Sequence, residues 1–331
     1  MLTVETGRGF AKEVLYHCYP SRGSHGKEPP EAVWRLAFGH KAVDALKREG
    51  LLRAIIMKRI SEERLKRAET VIKRHCRKAV DVVIALSNYS TSHTRFRDFL
   101  TNICGTRYAS MPLFDIAMFE GAMNVDWRAL ERRSKALARV LRRATEVHIT
   151  APNGTHIWVS KRGRRVFVDS GNLRHKGSFG NLPAGEVFFA PVEGTAEGRM
   201  VLEWAPTRRL LSPVTLIISQ GEVQEVQGEE PFLEVLKDKL MERLENRNIA
   251  EVGFGTNDRA RRPDNILESE KILGTVHIAL GDNSSFGGRV KTPFHQDFVF
   301  FKPTVVLRLR DGEIIKIIEE GKLMIEDRRR Q

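Results

Sequence analysis

The chain has 331 residues, 41% of them hydrophobic, and a formal net charge of +13. That is enough for two domains with real cores. No apolar run approaches the ~18 residues that would span a membrane, and Met1–Phe10 lacks the apolar stretch of a secretory signal.

The first half reads as helices with a few short strands. Glu31 to Glu49 carries Val33, Leu36, Ala37, Ala42, Val43 and Leu46 close to helical spacing. Ser61 to Lys78 resembles a helix opened by an N-cap serine with glutamates, Glu62 and Glu63, in its first turn. Val80 to Leu86 suits a buried parallel strand. The polar Asn88–Thr94 is a loop, either ligand-binding or simply capping the next helix, Arg95 to Cys104. Trp127 to Ala144 is a charged amphipathic helix. Strand–helix alternation predicts an N-terminal α/β domain with a parallel sheet, residues 1–145.

Beyond Thr145 the pattern changes. Glu146–Thr150 and Thr155–Val159 alternate around Pro152-Asn153-Gly154, a hairpin signature. Strands follow near 165–168, 187–190, 200–204, 214–219, 299–307 and 314–318, with one helix from Pro231 to Asn246. Residues 146–331 therefore form a mixed, strand-rich α+β domain.

The charge comes largely from Arg132-Arg133, Arg142-Arg143, Arg164-Arg165, Arg208-Arg209, Arg261-Arg262 and Arg328-Arg329-Arg330. Nucleic-acid binding is one reading of such a balance. The clusters are scattered and not interleaved with aromatic residues, so a solvated surface is the preferred one. Cys18, Cys76 and Cys104 are too few and too irregular for a disulfide framework or a zinc knuckle. They read as small buried residues in a reduced, cytoplasmic protein.

The best clue to chemistry is Thr292–Phe300. It reads as a strand, in which His295 and Asp297 leave the same face. Upstream, Glu251 and His277 lie in Gly-rich surroundings. Two histidines with carboxylates are ligands for a divalent metal. The chain has no His-Glu-x-x-His, so these groups must come from separate strands and loops. Glu186 heads the apolar run Val187-Phe188-Phe189, where a carboxylate is exposed, paired to an Arg, or bound to a metal. Glu270-Lys271 is a surface ion pair or, alternatively, supplies a general base. Gly253-Phe254-Gly255 lacks the third glycine of a dinucleotide fingerprint.

Four stretches in this order, Asn181–Phe188, the Glu251 segment, His277–Gly281 and His295–Phe298, resemble the aminopeptidase T and aminopeptidase S family of metalloproteases. The resemblance spans 181–298 and implies a homodimeric, cytoplasmic peptide hydrolase with two divalent ions (Zn, Co, Mn or Mg) per chain. It implies Glu186, Glu251, His277, His295 and Asp297 as metal ligands. Glu251 is expected to bridge the ions and Glu270 to act as a base. The family's tyrosine ligand is replaced by Ser284, with Asp282 and Asn283 as possible substitutes. The expected function is a metallo-aminopeptidase acting on peptides. The alternatives are a metal-binding, hydrolase-like protein of the same fold without peptidase activity, or a basic nucleic-acid-binding protein.

Overall fold

The computed structural model describes residues 9–325. Part of the opening segment and Arg328–Arg330 therefore lie outside the described residues. Two compact units emerge: Met1–Leu113 with Leu173–Gly180, and Phe114–Asn172 with Asn181–Gln331. The boundary expected near Thr145 thus falls inside the second unit. The Trp127–Leu141 helix packs on strands of that unit.

The first unit begins with α1 (Glu31–Phe38), α2 (His40–Arg48), α3 (Leu51–Ile56) and α4 (Glu62–His75). The single helix expected over Glu31–Glu49 is broken at Gly39, whose φ of 81° lies in the left-handed region that glycine tolerates. Ser61 caps α4 as expected, accepting the backbone N–H of Arg64. Then come β1 (Val82–Ala85), α5 (Arg95–Asp98) running into a π-helical turn at Phe99–Cys104, and β2 (Arg107–Ser110). β1 and β2 pair in parallel from Val82↔Arg107 to Ala85↔Ser110. Trp34, Phe38, Phe96 and Phe99 pack ring against ring in this unit's core.

The second unit contains α6 (Trp127–Leu141), β3 (Ala144–Thr150), β4 (His156–Ser160) and β5 (Phe167–Asp169). After β6 (Phe179–Asn181), third strand of the small parallel-containing sheet, come β7 (Glu186–Phe189), β8 (Glu197–Ala205), β9 (Arg208–Ser219) and β10 (Glu222–Gln227). α7 (Phe232–Glu242), β11 (Ile249–Gly255), α8 (Ile266–Ser269) and β12 (Val276–Gly281) follow. The chain then runs through β13 (His295–Phe300), β14 (Thr304–Leu309), β15 (Ile314–Glu319) and β16 (Lys322–Leu323). An antiparallel eight-stranded sheet has the order β10-β9-β8-β4-β3-β14-β15-β16, and an antiparallel five-stranded sheet the order β13-β12-β11-β7-β5. The expected hairpin forms with Ile149 opposite Ile157. The strand expected over 299–307 is instead two strands in different sheets, because the chain turns at Lys302 with φ 50°.

Both sheets bury an apolar face in one continuous core. The fold is mixed α/β, with a small parallel pairing in the first unit and large antiparallel sheets in the second. No helix among the described residues is long and apolar enough to cross a membrane. Cys18 is exposed and Cys76 and Cys104 half-buried, against the expectation that all three are buried. Arg143, Arg164, Arg208 and Arg262, from the basic clusters, each pair with an acidic side chain.

Candidate metal centre

The two faces of the five-stranded sheet differ. Val187, Val252, Phe254, Ile278, Leu280 and Phe298 point into the core. By strand alternation their neighbours take the other face. There the register sets Asp169 beside Glu186 and Glu186 beside Gly255. The next row runs Phe167, Phe188, Gly253, His277. Glu251, Ala279 and Asp297 form a third, and Gly281 lies beside His295. Glycine and alanine separate the polar side chains, leaving room above the sheet for them to converge.

Gly253 shows how tight that arrangement is. A Cβ there would lie 2.0 Å from His277 Nε2, so the imidazole lies directly over the glycine backbone. His277 Nε2 reaches Glu186 Oε2 at 3.3 Å and Glu251 Oε1 at 3.5 Å. The other Glu251 oxygen is 3.5 Å from His295 Nε2, which is 3.7 Å from Asp297 Oδ1. Two sets of converging donors result, Glu186–Glu251–His277 and Glu251–His295–Asp297, each with its ligand atoms within 4.8 Å of one another. Glu251 belongs to both. All five expected ligand residues thus share one face, and three strands and β7 deliver them.

The spacings fit a metal. Donors bound ~2.0–2.2 Å from one ion stand roughly 3–3.5 Å apart, close to the separations here. His277 Nδ1 is buried without a hydrogen-bond partner. His295 Nδ1 lies 2.7 Å from the Asp282 carbonyl, to which it donates as the Nδ1–H tautomer. That leaves the Nε2 lone pair turned towards the carboxylates.

Burial shapes the protonation of every group. It raises Glu251, with His277 opposing the shift. It works against the imidazolium of His277, but Glu251, Glu186 and further carboxylates outweigh it and hold the pKa up to about 9. At His295 burial is likewise outweighed, by Asp297 and Glu251, and the pKa is raised. Such clustering of desolvated, perturbed groups marks a functional site.

Glu270, the expected base, is not among the converging donors. Its Oε1 lies 2.5 Å from Lys271 Nζ, and burial pushes its carboxyl up to about 8, against the pull of Lys271. The pair is buried, not on the surface as the sequence suggested. Glu186, expected to be exposed, metal-bound or paired to an Arg, is buried among the converging donors and also meets Lys271 at 2.7 Å. Ser284 is exposed and donates to Asp282. Neither Asp282 nor Asn283 joins the donors. Asn283 is buried and pins the 282–291 loop: its Nδ2 donates to Glu193, and its Oδ1 accepts the N–H of Val290. That loop carries Phe286, whose ring meets His295 edge-on at 5.9 Å between centroids. Sequence reasoning gave Lys271, Asp169 and Phe286 no place at the site; the turn after α8, strand β5 and the 282–291 loop bring them there.

Comparison with known proteins identifies the lineage. The family model described as NicX: 2,5-dihydroxypyridine 5,6-dioxygenase matches residues 122–325. A curated 2,5-dihydroxypyridine 5,6-dioxygenase from Pseudomonas putida is 26% identical over 183 residues, 50% of this chain and 52% of that protein. The chain thus matches about half the length of that relative. The solved structure of the 2,5-dihydroxypyridine dioxygenase from Pseudomonas putida KT2440 aligns with TM-score 0.63 at 22% identity, over 80% of this chain and 77% of that one. Wild-type AmpT from Thermus thermophilus aligns with TM-score 0.52 at 18% identity, over 89% and 84%. The likeness to AmpT is one of fold. The family match overturns the expected metallo-aminopeptidase, protease and peptide-substrate readings, because peptidase-like motifs recur here in a dioxygenase family.

Proposed function

The chain belongs to the 2,5-dihydroxypyridine 5,6-dioxygenase family, and from that premise we propose that it is a metal-dependent, ring-cleaving dioxygenase acting on a dihydroxylated pyridine. The observation that carries the reading is the approach of His277 and His295 Nε2 to opposite oxygens of Glu251, with Asp297 alongside. Two imidazoles and a carboxylate with open positions are the donor set of non-haem iron(II) oxygenases. We assign one divalent ion, iron(II) before others, to His277, His295, Asp297 and Glu251. When bound, the ion supplies the dioxygen chemistry that side chains lack.

The remaining groups position the substrate and the ligands. Phe286 packs on His295 and on Phe188, and Phe188 stacks on Phe167. These rings offer an apolar wall that orients a planar heteroaromatic ring and keeps water from it. The Asp282 carbonyl holds His295 in the ligating tautomer. Glu270, engaged by Lys271, serves the electrostatics of the site.

The test is direct. Protein loaded with iron(II) under argon receives 2,5-dihydroxypyridine and then oxygen. One dioxygen should be consumed per ring opened, with loss of the aromatic absorbance and both labelled atoms of ¹⁸O₂ in the product. Iron-loaded protein that takes up no oxygen with any dihydroxypyridine would end the reading.

A further inference from the structure

We propose that Glu193 and Arg164, which stand outside both donor sets, are positioning residues: their ion pair latches the 282–291 loop and so seats Phe286 against His295. The inference rests on the reading above only for what the seated ring does to a substrate.

Arg164 lies in the turn between β4 and β5, and Glu193 in the turn between β7 and β8. Their side chains pair with exposures of 12% and 22%. Together they hold the loop at three points. Glu193 Oε1 accepts Asn283 Nδ2 at 3.0 Å and the N–H of Arg289 at 2.8 Å. Glu193 Oε2 accepts from the Arg164 guanidinium, whose other arm donates to the Gly287 carbonyl. One planar fork thus bridges a carboxylate and a backbone carbonyl. Arg164 is anchored in turn, because its carbonyl accepts the buried Lys161 ammonium at 3.0 Å. Within the loop, the Asn283 carbonyl accepts the N–H groups of Phe286 and Gly288. A Cβ on Gly288 would lie 1.9 Å from Asn283 Cγ, so the loop is folded tightly around that amide. What Glu193 fixes at Asn283 is therefore passed to Phe286. Asp282 is held separately: its N–H donates to the Phe294 carbonyl, and its Oδ1 accepts the N–H of Thr292. The latch governs the aromatic tip of the loop, not the carbonyl that orients His295.

Metal-free protein tests this without turnover. Trypsin cuts between Arg289 and Val290 only when the loop opens, because both N–H groups are bonded in the closed loop. The amide of Glu193→Gln keeps one acceptor and turns a donor towards Arg164, so cleavage there should quicken roughly tenfold. Arg164→Met should do the same. In both variants diethyl pyrocarbonate should modify His295 as fast as in Phe286→Ala and faster than in wild type, while buried His277 is unaffected. Wild-type rates of cleavage or of His295 modification in a folded variant overturn the proposal. Should one variant not fold, the other decides. In iron-loaded Glu193→Gln, KM for 2,5-dihydroxypyridine should rise roughly tenfold with kcat and metal content nearly unchanged. Metal lost in step with activity would make the pair a support of the ligands and overturn its role at the ring. A loaded wild type that opens no ring ends the dioxygenase reading alone, and the metal-free measurements still decide the latch.

Discussion

The two sheets of the second unit bury similar apolar faces in one core, yet their opposite faces follow different rules. On the eight-stranded sheet, Glu146 and Arg308 pair across strands at 2.9 Å with both side chains half exposed, and Lys316 pairs with Glu319 three residues along its own strand. Water solvates whatever these pairs leave unsatisfied. Over the five-stranded sheet, Glu186, Glu251, His277 and the neighbouring Glu270 and Lys271 are buried, and their charges answer one another. Desolvating ions in this way does not favour folding over a well-packed apolar face. Such a face is kept for what it binds.

The largest effect should come from Glu251→Gln. An amide offers one neutral carbonyl and a donor that repels a cation, and Glu251 alone belongs to both donor sets. The variant should fold and retain no metal after dialysis, with ring cleavage lost. Stoichiometric metal in Glu251→Gln would show that this face does not depend on its central carboxylate.

Gly253→Ala sharpens the point with a methyl group in place of a charge. The added carbon must displace the His277 ring, and displacements of about 1 Å typically cost ~10²-fold in rate. Because the ring can swing away, the fold should survive while metal affinity and kcat/KM fall together. An unchanged metal affinity would mean that His277 is not a ligand.

The buried face should also be legible in the pH dependence of stability. Burial raises the Asp169 carboxyl to about 6, with Lys271 opposing the shift. A carboxyl whose folded pKa lies above its unfolded value binds its proton more tightly when folded. Its contribution is therefore complete below the unfolded pKa of ~3.9 and is lost as pH rises through about 6. For metal-free protein the loss should amount to roughly 3 kcal/mol at most. Denaturation at pH 4, 5, 6 and 7 reads it, and Asp169→Asn should flatten the slope. An equally steep slope in Asp169→Asn would assign it elsewhere.

The same contrast explains what the sequence disclosed. Apolar alternation announced the hairpin and the strand carrying His295 and Asp297, since period-two patterning is local. Fold class followed from such local signals. Glu186, Glu251 and His277 stood out as polar residues amid apolar or glycine-rich runs. Lys271 did not, because Glu270-Lys271 in one dimension looks like any surface pair, and only the pairing of β7, β11 and β12 draws Glu186 to it. Gly39 and Lys302 were likewise silent, for a positive φ leaves little trace in an apolar pattern. Activity was misread for a related reason. The ligand motifs belong to a fold shared with AmpT, and a fold does not fix the reaction performed on it.

The smallest effect belongs to the solvated face. Arg308 Nε donates to Glu146 Oε2 at 2.9 Å between directly opposed positions of β14 and β3, with side-chain exposures of 54% and 50%. Water screens the pair, and two long side chains lose freedom in making it, so such pairs contribute between nothing and ~1 kcal/mol. Arg308→Ala should lower Tm by less than about 3 °C for a unit of this size and leave metal content untouched. A double-mutant cycle with Glu146→Ala isolates the coupling, which should shrink further in high salt. A coupling above ~2 kcal/mol, insensitive to salt, would mean that this pair is desolvated like those around Glu251. The division between a face that water supports and a face kept for a ligand would then have to be drawn elsewhere in the molecule.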